Sequence, residues 1–264
     1  MKNNITKTDQ EIYIENHRRE IIFIKAARVA VLLLFIAIWE LASTFSIIDP
    51  FFFSSPSRIV LLFIDMCKNL EIFIHTGITL YETILSFFIV NILSILVSVI
   101  MLSFDRFSKV VEPYLVILNS LPKSALAPLI IVWLGTGSKT IIVAGISVAL
   151  FGSIINLYTG FIQVDEEKRK LITTLGGTKK DQLIKVIIPA SVPIILSNMK
   201  VNIGLSLVGV IIGEFLAARQ GLGYLIIYSS QVFQLDMLIM SIIILCLIAL
   251  LLYQSIDLLE RKYH

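Results

Sequence analysis

Six apolar stretches, each about as long as a bilayer is thick, leave this chain few folds to choose from. Residues 29–48 read VAVLLLFIAIWELASTFSII, and at about 1.5 Å per residue such a stretch crosses the roughly 30 Å of hydrocarbon in a membrane. Further stretches lie over 79–102, 113–134, 140–161, 194–216 and 237–258. In lipid the backbone must satisfy its own hydrogen bonds, so the expected fold is all-α, a polytopic transmembrane helical bundle of about six spans. Hydrophobic residues make up 57% of the 264 and charged residues 16%, with a mean hydropathy of +0.90, outside the range of soluble domains. Glu40 in the first span costs up to about 3 kcal/mol, which its Val, Leu, Ile and Phe neighbours outweigh at roughly 0.3 to 0.6 kcal/mol each; its carboxylate is expected to face protein.

The connections are also readable. Asp49-Pro50 and Ser54-Ser55-Pro56-Ser57 mark a turn and a helix N-cap, and an interfacial helix is expected to run from there to about residue 70. The third stretch is irregular: Pro122 and Pro128 interrupt it, and Asn119, Ser120, Lys123 and Ser124 are polar. A broken helix must line protein or water, and if it is re-entrant the count is five spans. In the fifth stretch Gly204, Gly209 and Gly213 stand four or five apart, and Gly209 and Gly213 form a small-xxx-small pair that lets helix backbones approach closely. Gly221-Leu222-Gly223 falls in the loop after it.

Charge sets the orientation. With the N-terminus cytoplasmic, sixteen basic residues fall on the cytoplasmic side, while Arg58, Lys68, Lys139 and Arg219 face the other way. This predicts a cytoplasmic segment over 1–28, a transmembrane domain over 29–264, and both termini in the cytoplasm. Lys200 lies within a span and is expected to snorkel to the interface. The net charge of +3 is too small to argue for nucleic acid. The first 24 residues lack the apolar core and small-residue cleavage site of a signal peptide.

One cytoplasmic loop, within residues 162–193, stands apart. Its sequence DEEKRKLITTLGGTKKDQLIKVIIPASVP, from Asp165 to Pro193, carries six basic and four acidic residues. Leu171, Ile172 and Leu175 recur at helical spacing; Gly176-Gly177-Thr178 permits a turn and a new N-cap, with Asp181 at the capping-box position. Leu183, Ile184, Ile187 and Ile188 form an apolar stripe, and Pro189 is expected to end the second helix. Two short amphipathic helices bent at a glycine make a docking knob.

Catalytic chemistry has no visible home. The segment GTGSKT at 135–140 lacks the glycine before lysine and the strand-to-helix setting of a phosphate loop. His17, His75 and His264 are dispersed, Cys67 and Cys246 are isolated packing residues, and neither GxSxG nor HExxH occurs. An enzyme is not expected.

The loop resembles the EAA motif of bacterial ABC importer permeases: a glycine, then after ten residues an aliphatic residue, another two further on, and a proline, here Gly176, Val186, Ile188 and Pro189. The Glu-Ala-Ala position is occupied by Lys170-Leu171-Ile172, a departure from the pattern. The likeness extends over about residues 39–260 and is closest to permeases of the nitrate, sulfonate, taurine and thiamine-precursor importers. Its marks are Trp39-Glu40, Ser55-Pro56-Ser57, the run from Leu121 to Leu129, Trp133-Leu134-Gly135-Thr136-Gly137, Gly213-Glu214 and Gly221-Leu222-Gly223-Tyr224.

The resemblance implies a type I ABC importer permease fold in a bacterial inner membrane. It further implies no cofactor on this chain, ATP being bound by a separate cytoplasmic ABC ATPase into which the loop inserts, and an extracytoplasmic solute-binding protein. One loop per chain and two ATPases make a permease homodimer the simplest assembly. The cargo implied is a small anion such as an alkanesulfonate, taurine or nitrate, with a thiamine-precursor pyrimidine as the alternative; a channel or membrane scaffold is the reading from another class. Candidates to line the pathway are the polar groups that are costly to face lipid: Asn119, Ser120, Lys123, Ser147, Asn156, Asn202, Ser206 and Glu214.

Overall fold

A computed structural model describes residues 9–261, and among them every regular element is helical. Lys2, Lys7, Lys262 and His264 lie outside the described residues. Contacts divide the chain into two units, Met1–Leu62 and Phe63–His264.

The first unit begins with α1, Asp9–Thr44, at about 1.5 Å per residue far longer than a membrane is thick. It starts some twenty residues before the predicted span because the polar segment ahead of residue 29 carries good helix formers and no breaker. Its part from His17 to Thr44 is long and apolar enough to cross a bilayer. The chain turns at Ser46, which has a positive φ, into α2, Pro50–Phe53, capped by the Asp49 side chain. The next helix, α3, spans Pro56–Lys68, so the expected interfacial helix is present. Glu40 meets it: Ser57 donates its backbone N–H and its hydroxyl to the Glu40 carboxylate at 3.0 and 2.8 Å. The carboxylate thus faces protein, where it satisfies a first-turn donor and complements the positive end of the helix dipole.

The second unit is built on α4 (Glu71–Ser103), α7 (Ser138–Ile162) and α11 (Val192–Ala217), with α7 packed on both of the others. Close approach of α7 and α11 is a glycine effect. A Cβ on Gly209 would lie 2.8 Å from the Gly145 Cα, and one on Gly213 would lie 3.0 Å from the Ile141 Cα. Gly204 has open space around it and contributes nothing to that contact, which rests on the expected pair, Gly209 and Gly213.

The broken third stretch is two helices, α5 (Asp105–Ser120) and α6 (Lys123–Leu134), bent by 98° across Leu121-Pro122. Pro122 interrupts as expected. Pro128 does not: α6 passes through it, losing one backbone bond near its start, as α5 passes through Pro113. Among the described residues, five helices are long and apolar enough to cross a membrane, or six if the bent pair counts as one span.

Beyond α11 the structure departs from a simple loop. Residues Leu222–Gln231 form α12 before the last span, α13, at Leu235–Arg261. Ten residues are too short to cross, so length alone gave no sign of this helix. Lys200 reaches the last turns of α13, the end expected at the cytoplasmic interface. Its ammonium pairs with Asp257 at 2.5 Å and with Glu260, both on α13, and lies over the Tyr253 ring.

Candidate functional site

Between α7 and α11 the charged loop folds as two helices and a wide turn. α8, Glu166–Thr174, is capped by the Asp165 side chain, which accepts from the Glu167 N–H at 2.9 Å. It ends in a Schellman motif: Gly177 N–H returns to Ile172 O, Gly176 N–H to Thr173 O, and Gly176 supplies the left-handed backbone with φ +80°. A short α9, Lys179–Gln182, starts at once under a capping box. Thr178 donates its N–H and hydroxyl to the Asp181 carboxylate at 2.9 and 2.7 Å, while the Asp181 N–H returns to the Thr178 oxygen. These bonds, with Lys185 at 3.0 Å, hold the Asp181 carboxyl well below the usual carboxylate range. Gln182 bonds Thr173 at 2.6 Å and ties the two limbs together.

Pro189 does not end the second limb. Leu183–Ile187 form a π-helical turn, Ile188 N–H reaches back to Leu183 O, and helical backbone continues through α10, Ile188–Ala190, to Ser191. The wider turn accommodates a proline that has no N–H to give. The expected apolar stripe divides here. Ile187 is buried with Leu157 and Phe161, with Leu183 and Ile194 against them, while Ile184 and Ile188 stay exposed and Val186 is half-buried. Lys170 and Gly176 are exposed and Ile172 half-buried, and Leu171 and Leu175 show 58% and 75% of their surface on an otherwise charged helix. The knob therefore has an anchored root and an open apolar face.

The pathway candidates do not form one cluster. Lys123 caps the α5 C-terminus, donating to Leu118 O and to Asn119 O at 3.2 Å, and lies over the Phe151 ring. Asn119 and Ser120 are exposed beside it, and the Ser120 hydroxyl bonds Val116 O. Ser147 bonds its own helix at Ala144 O, and Ser206 is buried. Asn202 donates to Asn91 on α4 and to Ser153 on α7, both at 2.9 Å, and Asn198 also donates to Ser153. Asn156 is exposed and lines a cavity of about 450 Å³ with Thr159, Gln163, Ser197 and Asn198, next to the loop.

Glu214 lies at the far end of α11 and organises the turn into α12. Its carboxylate accepts from the Thr79 hydroxyl at 2.7 Å and the Gly223 N–H at 2.5 Å, and Thr79 in turn accepts from the Leu222 N–H. A Cβ on Gly221 would lie 2.4 Å from that carboxylate and one on Gly223 2.8 Å. The Gly213-Glu214 and Gly221-Leu222-Gly223 motifs are thus one structural unit.

Sequence reasoning missed Glu82. It is fully buried beside Glu214 and Ser138, and neither of its carboxylate oxygens has a hydrogen-bond partner among the described residues. With Thr136, Ser138, Tyr81 and Arg219 it lines a cavity of about 870 Å³. The signal was present: Thr79, Glu82, Thr83 and Ser86 recur at helical spacing inside an apolar stretch, which marks a face turned to protein.

An all-helical bundle with a structured two-helix loop between packed spans is the fold of an ABC importer permease. A chain of the inward-facing MetNI methionine ABC transporter superposes with a TM-score of 0.63 at 17% identity, covering 71% of this chain and 94% of that one. Residues 90–264 match the family described as binding-protein-dependent transport system inner membrane component, and the chain belongs to it. It is 31% identical over 227 residues to a probable ABC transporter permease protein of Haemophilus influenzae, 86% of this chain and 91% of that protein. It is 29% identical to the formylaminopyrimidine transport permease protein ThiX of Halalkalibacterium halodurans (73% of this chain, 76% of that one). Likewise it is 28% identical to the putative aliphatic sulfonates transport permease protein SsuC of Bacillus subtilis (86% and 82%). The chain is a transport permease subunit and not an enzyme.

Proposed function

We propose that the loop over 162–193 is the coupling element through which a separate cytoplasmic ABC ATPase, the subunit that binds ATP, drives this permease. The observation that carries this reading is the joining of an open face at Lys170, Leu171 and Leu175 to a root at Ile187, packed against Leu157 and Phe161 of α7. A rigid, capped helix pair transmits a push to the spans; a floppy chain absorbs it. Gly176, Val186, Ile188 and Pro189 shape the bend and the return limb, and Ile172 closes the first. The positive-inside bias supports cytoplasmic termini, with 1–28 as a cytoplasmic segment and 29–264 as the permease domain in contact with lipid. Two ATPases need two loops, which a homodimer supplies, and an extracytoplasmic binding protein delivers the solute. A direct test places cysteine at Leu171 in a chain whose two native cysteines are replaced. Cross-linking to the co-expressed ATPase is expected at Leu171→Cys and not at Val60→Cys; equal yields at both positions would remove the assignment.

For the solute, a small molecule bearing N–H donors fits better than the small anion the resemblance implies, for which Lys123 is the in-span cation. Lys123 gives two of its three N–H groups to carbonyls, whereas the wall of the large cavity near Glu214 carries Thr136, Ser138 and the buried Glu82. The ThiX relative's name points to a pyrimidine and the SsuC relative's to sulfonates, so the two readings compete. Asn156, with the 450 Å³ cavity it lines, is the best placed of the remaining pathway candidates, ahead of Asn119, Ser120, Ser147, Asn202 and Ser206. Uptake of formylaminopyrimidine that falls in Glu82→Gln supports the first reading. Sulfonate uptake indifferent to that change, with no pyrimidine uptake, supports the second.

A further inference from the structure

The loop carries more positive charge than its own acids neutralise, and the surplus converges. Of the six basic residues, Lys170 pairs with Glu166 at 3.1 Å and Lys185 with Asp181 at 3.0 Å. Three of the other four, Arg169, Lys179 and Lys180, line one cavity of about 420 Å³ and have no ion-pair partner among the described residues. The Arg169 Nε is buried there without a hydrogen-bond partner, a costly state for a donor on a charged group. Asp105 is the single carboxylate in the wall, which leaves the cavity with a net positive charge.

Its remaining walls are instructive. Leu102 and Ser103 are the last residues of the α4 span, and Leu183 and Ile187 contribute apolar surface from the return limb. The cavity therefore sits where the hydrocarbon ends, with cations on one side and aliphatic groups on the other. Lys170, Leu171 and Leu175, the face assigned to the ATPase, do not line it. Basic pockets at the cytoplasmic ends of spans suit anionic headgroups, each nearby cation contributing about a fivefold gain in affinity.

We propose that this cavity binds the phosphate of an anionic phospholipid, with Arg169, Lys179 and Lys180 as its ligands, and that the lipid braces the coupling loop against the end of α4. The inference goes beyond the coupling assignment and stands whichever way the loop faces in the cell, because both leaflets of a reconstituted disc carry the same lipids. The test uses the full permease–ATPase complex in discs of phosphatidylcholine with a minor share of phosphatidylglycerol, counting lipids retained after extraction by mass spectrometry. Wild type is expected to retain phosphatidylglycerol above its share of the disc. Arg169→Gln/Lys179→Gln/Lys180→Gln is expected to lose that enrichment while keeping ATPase association, and Arg169→Lys to keep both. Unchanged enrichment in the triple variant overturns the proposal. Displacement of the lipid by millimolar inorganic phosphate shows a site for free phosphate and overturns the lipid assignment. A triple variant that loses the ATPase yet retains the lipid assigns the cations to the protein partner and overturns it too.

Discussion

The Asn202 amide of α11 donates to Asn91 Oδ1 of α4 at 2.9 Å, and the same NH₂ group reaches Ser153 Oγ of α7. One side chain thus joins the three central helices in a place where no water competes. Asn202→Leu is expected to lower stability by about 1–2 kcal/mol, since interhelical bonds in membranes contribute modestly and Asn91 loses a donor. Thermal unfolding in detergent measures this. Normal stability with altered solute uptake would instead place Asn202 in the pathway.

Helix contact at the glycine pair gives a sharper contrast. Gly209→Ala drives a methyl group into the Gly145 Cα and the Ala144 carbonyl, both backbone, so the helices must separate, at a cost of about 1–3 kcal/mol. Gly204→Ala meets nothing within 4 Å and, by helix propensity, is neutral or slightly stabilising. Melting temperatures of the two variants, compared with wild type, decide whether the pair or the whole glycine series sets the packing.

The capping box predicts a pH response. Asp181 has a depressed carboxyl pKa, chiefly through the Thr178 hydroxyl, then the Thr178 N–H, then Lys185. A depressed acid lends stability that is fully present above its unfolded pKa of about 4 and is lost as pH falls through its folded value. Order in α9 is therefore expected to be constant from neutral pH down to the ordinary carboxylate range and to fail only in stronger acid. Thr178→Val removes the largest contribution and is expected to move the Asp181 titration upward, as read by carboxyl NMR. An unmoved titration would show that Lys185 dominates.

Spans and punctuation were legible in the sequence because they depend on local chemistry. Apolar length located the membrane helices, Gly176 the bend, Thr178 and Asp181 the new cap, and Leu121-Pro122 the break. What stayed hidden depends on distant partners. Lys200 finds Asp257 57 residues away, and Glu214 finds Thr79 135 residues away. Glu82 could be seen as a polar face, yet its lack of a donor is a property of the packed helices. Pro189 was misread because a π turn relieves the clash that makes proline a helix breaker, and α12 because its ten residues resemble a loop by length.

Coupling through the bend is the central claim, and Gly176→Pro tests it most directly. Proline fixes φ near −65°, which the left-handed backbone at Gly176 excludes, while the spans on either side are untouched. The measurement is ATP hydrolysis by the permease–ATPase complex in vesicles, with and without solute-loaded binding protein. Wild type is expected to hydrolyse faster when loaded binding protein is present. The variant is expected to insert normally and to lose that response, with basal hydrolysis by the ATPase retained. A full response from inserted Gly176→Pro would contradict the account.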